Sequence, residues 1–160
     1  METRGGQDVR YEVRLPREIG RIELNSSNGS IRLTGVAQEV FVRAVNGSIE
    51  LTDVAGISRI ETTNGNIKAV LNEASNHTMD FANTNGNIDV TFKSDFDADL
   101  DASAASGTVN IDDQLGITVE RQVVGARARG QIGSGGPTLK LRTVNGSVKL
   151  AKQASVKETK

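Results

Sequence analysis

The residues with the clearest potential for chemistry are the four aspartates of the stretch DFDADLDAS. Asp95, Asp97, Asp99 and Asp101 are two residues apart, so on a β-strand their carboxylates would share one face. Such a row could bind calcium, or supply the paired acids of a glycan-cleaving enzyme. Apolar residues alternate with them over 96–102, which is also typical of a strand with one solvated and one buried face. We expect this structural role, and the sequence leaves calcium binding open.

His77 is the only histidine, and it lies in the polar stretch LNEASNHTM, where we expect a loop and an exposed side chain. The chain contains no cysteine. Transition-metal sites and Ser/His or Cys/His catalytic groups therefore lack their usual residues. We predict no catalytic residue, no metal-binding residue and no cofactor, and hence a protein that is not an enzyme. The sequence does not indicate which residues bind a partner.

Two further stretches could contact an anion. The segment GSGG at 133–136 lacks the lysine of a phosphate-binding loop and opens no helix, so we expect a turn. Arg127 and Arg129 alternate with Ala126 and Ala128. They could contact an anionic glycan, but they also fit the polar face of a strand.

The elements that position these residues follow from an internal repeat. The figure SSNGSIRL recurs as AVNGSIEL, TTNGNIKA, NTNGNIDV and TVNGSVKL, with SASGTVNI as a weaker copy. The period is 18 to 21 residues, with a final interval of 39, as read from Gly29, Gly47, Gly65, Gly86, Gly107 and Gly146. A fixed period of this length marks a repeat architecture. Stacked Asn side chains could line a binding edge, but we expect Asn-Gly to serve the turn.

Apolar residues alternate with polar ones on both sides of each turn, which predicts two half-buried strands per repeat. No segment of comparable length has helical spacing, so the chain is predicted to be all-β. The inward positions after the turn are Ile31, Ile49, Ile67, Ile88, Val109 and Val148, and those before it are Leu24, Val42, Ile60, Phe81, Ala102 and Leu141.

Two architectures satisfy this pattern. In an antiparallel β-sandwich of Asn-Gly hairpins, Thr62 would lie opposite Ile67. In a single-stranded β-helix, or β-solenoid, each repeat is one coil and the turns stack along one edge. Near-identical repeats, with matching second breaks at Gly35 and Asp53, favour a solenoid of about seven coils, right-handed by the rule for parallel crossovers. TVNGSVKL is then expected to be the last regular coil of the stack.

We predict one solenoid domain over 1–160. Residues 1–20 would form an N-terminal cap, 21–150 the coils and 151–160 a charged tail. The region 112–136 departs from the repeat and predicts an atypical coil or a protruding hairpin. Both ends of the stack are strand edges that could add another chain, so a self-assembling structural protein that stacks through its coil ends is an alternative.

Charge and hydropathy limit the partners. The formal net charge is -1, which gives no basis for binding nucleic acid or an anionic membrane. The N-terminal stretch METRGGQDVRYEV has neither the apolar core of an export signal nor a spanning segment of about 20 apolar residues. From this we expect a cytoplasmic chain, or one whose targeting segment is absent.

The T-x-N-G-x-I-x-L figure, the V-x-G steps as in DVAGIS, and the ending GQIGSGGPTLKLRTVNGSVKL resemble the bacterial putative-adhesin family of unknown function. That family is related to the head domain of auto-transporter adhesins. The resemblance covers about 10–150 and implies a β-helix-like, non-enzymatic, extracytoplasmic scaffold or interaction module of the cell envelope. Its partners would be a cell-surface glycan or an envelope protein. A glycan-degrading β-helix enzyme, which would depend on Asp97 or Asp99, is a third alternative.

Overall fold

The computed structural model describes residues 11–12, 20–36, 39–71, 77–92, 96–121 and 123–153. Within these ranges the chain forms fifteen β-strands and one 3₁₀ turn, Asp113–Leu115. The strands are β1 Tyr11–Glu12, β2 Arg21–Asn28, β3 Ile31–Thr34, β4 Glu39–Asn46, β5 Ile49–Thr52, β6 Ile57–Asn64, β7 Ile67–Leu71, β8 Met79–Asn85, β9 Ile88–Phe92, β10 Ala98–Ser106, β11 Val109–Ile111, β12 Val119–Arg121, β13 Ala126–Ile132, β14 Thr138–Asn145 and β15 Val148–Lys152.

The strands form two sheets. Sheet A has the order β1-β3-β5-β7-β9-β15-β11, and sheet B the order β12-β13-β10-β14-β8-β6-β4-β2. Each Asn-Gly turn connects a strand of sheet B to the next strand in sheet A, so the two arms of a turn do not pair with each other. The hairpin alternative is therefore wrong: Thr62 lies beside Ala44 and Asn83 of the adjacent coils, not opposite Ile67. The all-β solenoid with parallel strands is confirmed.

Equivalent residues stack in register, which places the same apolar position of every coil in one row. Val42, Ile60 and Phe81 are neighbours on successive strands of sheet B and are buried. Leu24 of the same row is only partly buried, because β2 is the edge strand of sheet B. The inward side chains of both sheets form one narrow, mostly aliphatic core.

The second corner of the coil also repeats. Gly35 and Asp53 both have left-handed backbone angles, with φ of 68° and 55°. The residues that follow them, Val36 and Val54, are buried, and the Ala55 N–H donates to the Val36 carbonyl at 2.9 Å. The matching breaks predicted from the sequence are thus equivalent corners of two consecutive coils.

The coils do not stack in the order of the sequence. The coil β14–β15, which contains TVNGSVKL, lies between β8–β9 and β10–β11. The prediction that this segment is the last coil of the stack is wrong, since it is an interior layer with parallel neighbours on both sides in each sheet.

Outward charges of opposite sign are neighbours in this order, which favours it. Along sheet B, Lys140 lies between Asp80 and Asp101, and Arg59 and Arg129 flank that trio on the outer sides. Stacking in sequence order would instead place Asp80 directly opposite Asp101, and like charges in that position are destabilising. Sheet A has the same alternation of sign along Arg32, Glu50, Lys68, Asp89 and Lys149.

The region 112–136 forms the end of the stack next to the coil β10–β11. After β11 the chain makes the 3₁₀ turn, in which the Asp112 side chain accepts the Gln114 N–H at 3.1 Å. Strands β12 and β13 then form an antiparallel hairpin, and β13 pairs antiparallel with β10. The predicted hairpin is present, but it continues sheet B instead of protruding from it.

At the other end, β1 adds to sheet A beside β3, as a cap would. The remaining residues of the predicted cap, 1–10 and 13–19, and most of the predicted tail, 154–160, lie outside the described residues. The division into cap, coils and tail, and the handedness of the solenoid, stay predictions.

Candidate functional site

The Asn-Gly edge is held by a ladder of side-chain amides. Each Nδ2 donates to the Oδ1 of the neighbouring coil, with distances of 3.0 Å from Asn46 to Asn28, 2.8 Å from Asn64 to Asn46, 2.8 Å from Asn85 to Asn64 and 2.9 Å from Asn145 to Asn85. These amides bond to one another along the stack. The edge therefore serves the fold, as we predicted, and offers little to a ligand.

A second ladder lies just inside the first. Thr62, Asn83 and Thr143 are buried polar residues, and each donates a side-chain hydrogen bond to a glycine carbonyl of the adjacent coil at 2.7 to 3.0 Å. The backbones approach so closely that a Cβ at Gly47 would collide with the Gly29 carbonyl oxygen. The glycine is thus required by the close approach of two coils.

Asp97, Asp99 and Asp101 share one outward face, as predicted, but Asp97 and Asp101 have different partners. Asp97 accepts the Ser134 N–H at 2.8 Å, so the turn at 133–136 folds against it. Asp101 accepts hydrogen bonds from Arg127 at 3.3 Å and Arg129 at 3.4 Å. Asp95 lies outside the described residues. Among the residues that the structure describes, no three His, Asp or Glu side chains are grouped to hold a metal ion.

The surroundings of Asp101 change its acidity. Its partial burial raises the pKa, but hydrogen bonds and positive charge from Arg129 and Arg127 lower it more. The net result is a pKa below the ordinary aspartate value of 3.8. Arg127 and Arg129, considered in the sequence as contacts for an anionic glycan, are instead paired within the protein.

His77 is exposed, as predicted, but its ring contacts a strand. Its Nε2 lies 2.7 Å from the Ser58 hydroxyl, which donates its own hydrogen to Glu39 Oε1 at 2.9 Å. A hydroxyl has one hydrogen, so His77 acts here as the donor. In a catalytic triad the histidine removes the serine proton and the carboxylate orients the histidine. The arrangement at Ser58 has the serine in the middle, which does not activate it.

The outer face of sheet B carries a concavity, which we call the central groove. It crosses β4, β6, β8 and β14 and has a volume of about 610 Å³. Two rows of outward side chains line it, one formed by Arg43, Glu61, Ala82 and Arg142 and the other by Val45, Thr63, Thr84 and Val144. Ala82 and the two threonines are short, which creates the depression between longer neighbours.

Both ends of the central groove carry an arginine paired with a carboxylate. Arg43 Nη2 lies 2.9 Å from Glu61, whose other oxygen is 2.7 Å from Arg59 Nε. At the other end, Arg142 Nη2 contacts both oxygens of Asp80, at 2.9 and 2.7 Å. The valines at the two ends are exposed, with 43% for Val45 and 47% for Val144. The groove therefore combines charged pairs, hydroxyls and apolar side chains.

A smaller groove of about 140 Å³ adjoins the central groove, and the Arg43–Glu61 pair lines both. Its aromatic residue is Phe41, whose ring is covered by the Arg21 guanidinium at 4.0 Å from the ring centre. Sequence reasoning missed both grooves. The sequence feature that could have indicated the central groove is Ala82, a small residue at a position where the aligned repeats carry Arg43, Glu61 and Arg142.

The described part of the chain contains no helix of the length and hydrophobicity needed to cross a bilayer.

These observations define an all-β solenoid whose coils stack in parallel around an aliphatic core. The chain matches the Toastrack DUF4097 family over residues 7–151, and it belongs to that family. This confirms the resemblance to the bacterial putative-adhesin family. A solved structure described as a putative cell adhesion protein from Clostridium sporogenes is similar, with 12% identity and a TM-score of 0.46. The similarity covers 74% of this chain and 57% of that protein, and no curated protein matches the chain.

Proposed function

We propose that the protein is a non-enzymatic, adhesin-like interaction module that works outside the cytoplasm, with the outer face of sheet B as its binding surface. The observation that carries the proposal is the central groove. The interior is filled by the packed core, and the asparagine amides of the Asn-Gly edge bond to one another along the stack. The outer face of sheet A carries charges of alternating sign, including the Arg32–Glu50 pair at 2.7 Å. The face of sheet B combines a concavity with exposed apolar side chains, Val45 and Val144.

The test uses the labelled protein on a glycan array and on intact bacterial cells, beside the variant Ala82→Gln, which fills the groove. We expect binding by the wild-type protein and clear loss in the variant. Fractionation of the native host should recover the protein with the envelope or the medium. Blank arrays and cells, together with recovery of the protein in the cytosol, would rule the proposal out.

Self-assembly through the coil ends has less support. Sheet B ends at β12 in an antiparallel hairpin, and the amide ladder does not continue at the position of Ser106 in β10. A second copy placed there would meet neither the parallel pairing nor the asparagine row of the regular coils. Sedimentation across a concentration series is expected to show a constant size, whereas an end-stacking protein would grow.

The glycan-degrading alternative also has little support, because Asp97 is held by the turn at 133–136. The double replacement of Asp97 and Asp99 by Asn tests it directly. Under our proposal, neither the wild-type protein nor the double variant cleaves acidic polysaccharides. Cleavage that disappears in the double variant would establish an enzyme.

A further inference from the structure

We infer that the central groove binds a linear glycan that carries carboxylate groups, with the sugar chain lying along the stack axis across β4, β6, β8 and β14. This inference rests on the proposed function and names the ligand of the same surface. Three features of the groove carry it: its dimensions, the kind of polar groups that it presents, and its charge.

The dimensions of the groove suit a short stretch of a chain molecule. Its lining residues come from four adjacent strands, which are about 4.8 Å apart, so the groove is about 14 Å long. Its volume of about 610 Å³ lies within the usual range of ligand sites. One strand spacing is also close to the length of one sugar ring, so that successive rings could meet equivalent positions of successive coils.

The polar groups of the groove favour a sugar over a peptide. β4, β6, β8 and β14 are interior strands with pairing partners on both sides, so their main-chain groups are already used. Peptides that bind sheets usually add to an edge and depend on main-chain hydrogen bonds. The groove offers instead the hydroxyls of Thr63 and Thr84 and the charged pairs beside them, which are suited to sugar hydroxyls. Val45 and Val144 supply apolar contacts for ring C–H groups.

The charge of the groove favours an acidic sugar. The charged side chains that line the groove are Arg43, Arg142 and Glu61, and their formal charges sum to one positive charge. Arg142 makes both of its bonds to Asp80 through Nη2, whereas a guanidinium carries five N–H donors on three nitrogens. The side chain is 53% exposed. Among the described residues no hydrogen bond uses the Nε or Nη1 of Arg142, so these N–H groups can donate charge-assisted hydrogen bonds to a ligand carboxylate.

Titration calorimetry with three probes tests the inference: oligogalacturonate as the acidic glycan, cello-oligosaccharide as a neutral glycan of similar shape, and poly-glutamate as an acidic peptide. We expect binding of oligogalacturonate and weak or absent binding of the other two. Arg142→Gln should weaken it about tenfold or more through loss of a charged hydrogen bond. Ala82→Gln should weaken it by a similar factor, about tenfold, because the longer side chain occupies the groove.

The matched controls lie on the outer face of sheet A. Ala151→Gln makes the same change at another outward, half-buried alanine, and Arg32→Gln removes another paired arginine. Both should bind as the wild-type protein does. Equal binding of poly-glutamate, or equal loss in the controls, would overturn the inference. Binding of another glycan on the array, unaffected by Ala82→Gln, would overturn the inference and the choice of surface while leaving an adhesin-like role in place.

Discussion

Gly47 shows at the scale of one residue how tightly the coils approach. Its φ is not in the left-handed region, but an added Cβ would meet the Gly29 carbonyl oxygen. We expect Gly47→Ala to lower the free energy of unfolding by about 3 kcal/mol or more, because two backbones would have to separate. Gly20 has no atom within 4 Å of such a Cβ. Urea unfolding of Gly47→Ala and Gly20→Ala should therefore show a large loss in the first variant and little in the second.

The asparagines of the turns should resist deamidation. Deamidation requires the amide nitrogen of the following glycine to attack the Asn side chain, and in the stack both groups are restrained. The Gly65 N–H donates to the Asn85 carbonyl at 3.1 Å, and the Asn64 amide bonds to Asn46 and Asn85. Mass spectrometry of aged protein should find slow conversion at Asn64 in buffer and fast conversion in urea. Fast conversion in the folded protein would contradict a rigid stack.

Asp101 links stability to pH. Its pKa is lower in the folded chain than the ordinary value of 3.8, so its ion pairs stabilise the fold above that value. That contribution is lost as the pH falls from about 4 through the lowered pKa. The variant Asp101→Asn should be less stable than the wild-type protein at pH 7, and the difference should shrink at about pH 3. Chemical unfolding at both pH values measures this, and an equal difference at both would contradict it.

At the scale of elements, the position of Lys140 tests how much the outward charges contribute to the insertion of β14. It lies between Asp80 and Asp101, so Lys140→Glu would replace two favourable neighbours with two unfavourable ones. From typical cross-strand pair energies we expect a loss of about 1 to 2 kcal/mol, which high salt should reduce. Lys140→Gln should lose less. Urea unfolding at low and high salt measures both variants, and a loss that salt does not change would point to packing.

The elements also show what sequence reasoning could and could not provide. Inward and outward positions, the Asn-Gly corner and the second corner at Gly35 and Asp53 were predictable, because each recurs at a matching place in two or more coils. The order of the coils was not predicted, because the alternation of inward and outward positions is the same in each coil and does not say which coils are neighbours. The central groove depends on that order, since Ala82 and Arg142 become neighbours only through the insertion of β14.

At the scale of the whole molecule, the order of the coils can be tested by cross-linking. The chain has no cysteine, so engineered pairs have no background. Ser103 lies beside Arg142 on the adjacent strand, whereas Ala82 and Ser103 are separated by β14. Neighbouring strands are within disulfide reach. Mild oxidation should link Ser103→Cys with Arg142→Cys but not Ala82→Cys with Ser103→Cys, as judged by gel mobility. The reverse result would mean that the coils follow the sequence.

The insertion of β14–β15 has a consequence for synthesis on the ribosome. The coil β10–β11 emerges first, but its partner in both sheets is made about forty residues later along the chain. The growing chain therefore cannot complete its stack by adding coils in the order in which they are translated. Until β14 and β15 have emerged, β8 and β9 each lack one of their two neighbouring strands, and a chaperone could protect these exposed edges. Loss of the segment 138–152 would therefore remove an internal coil of the stack, and not only a coil at its end.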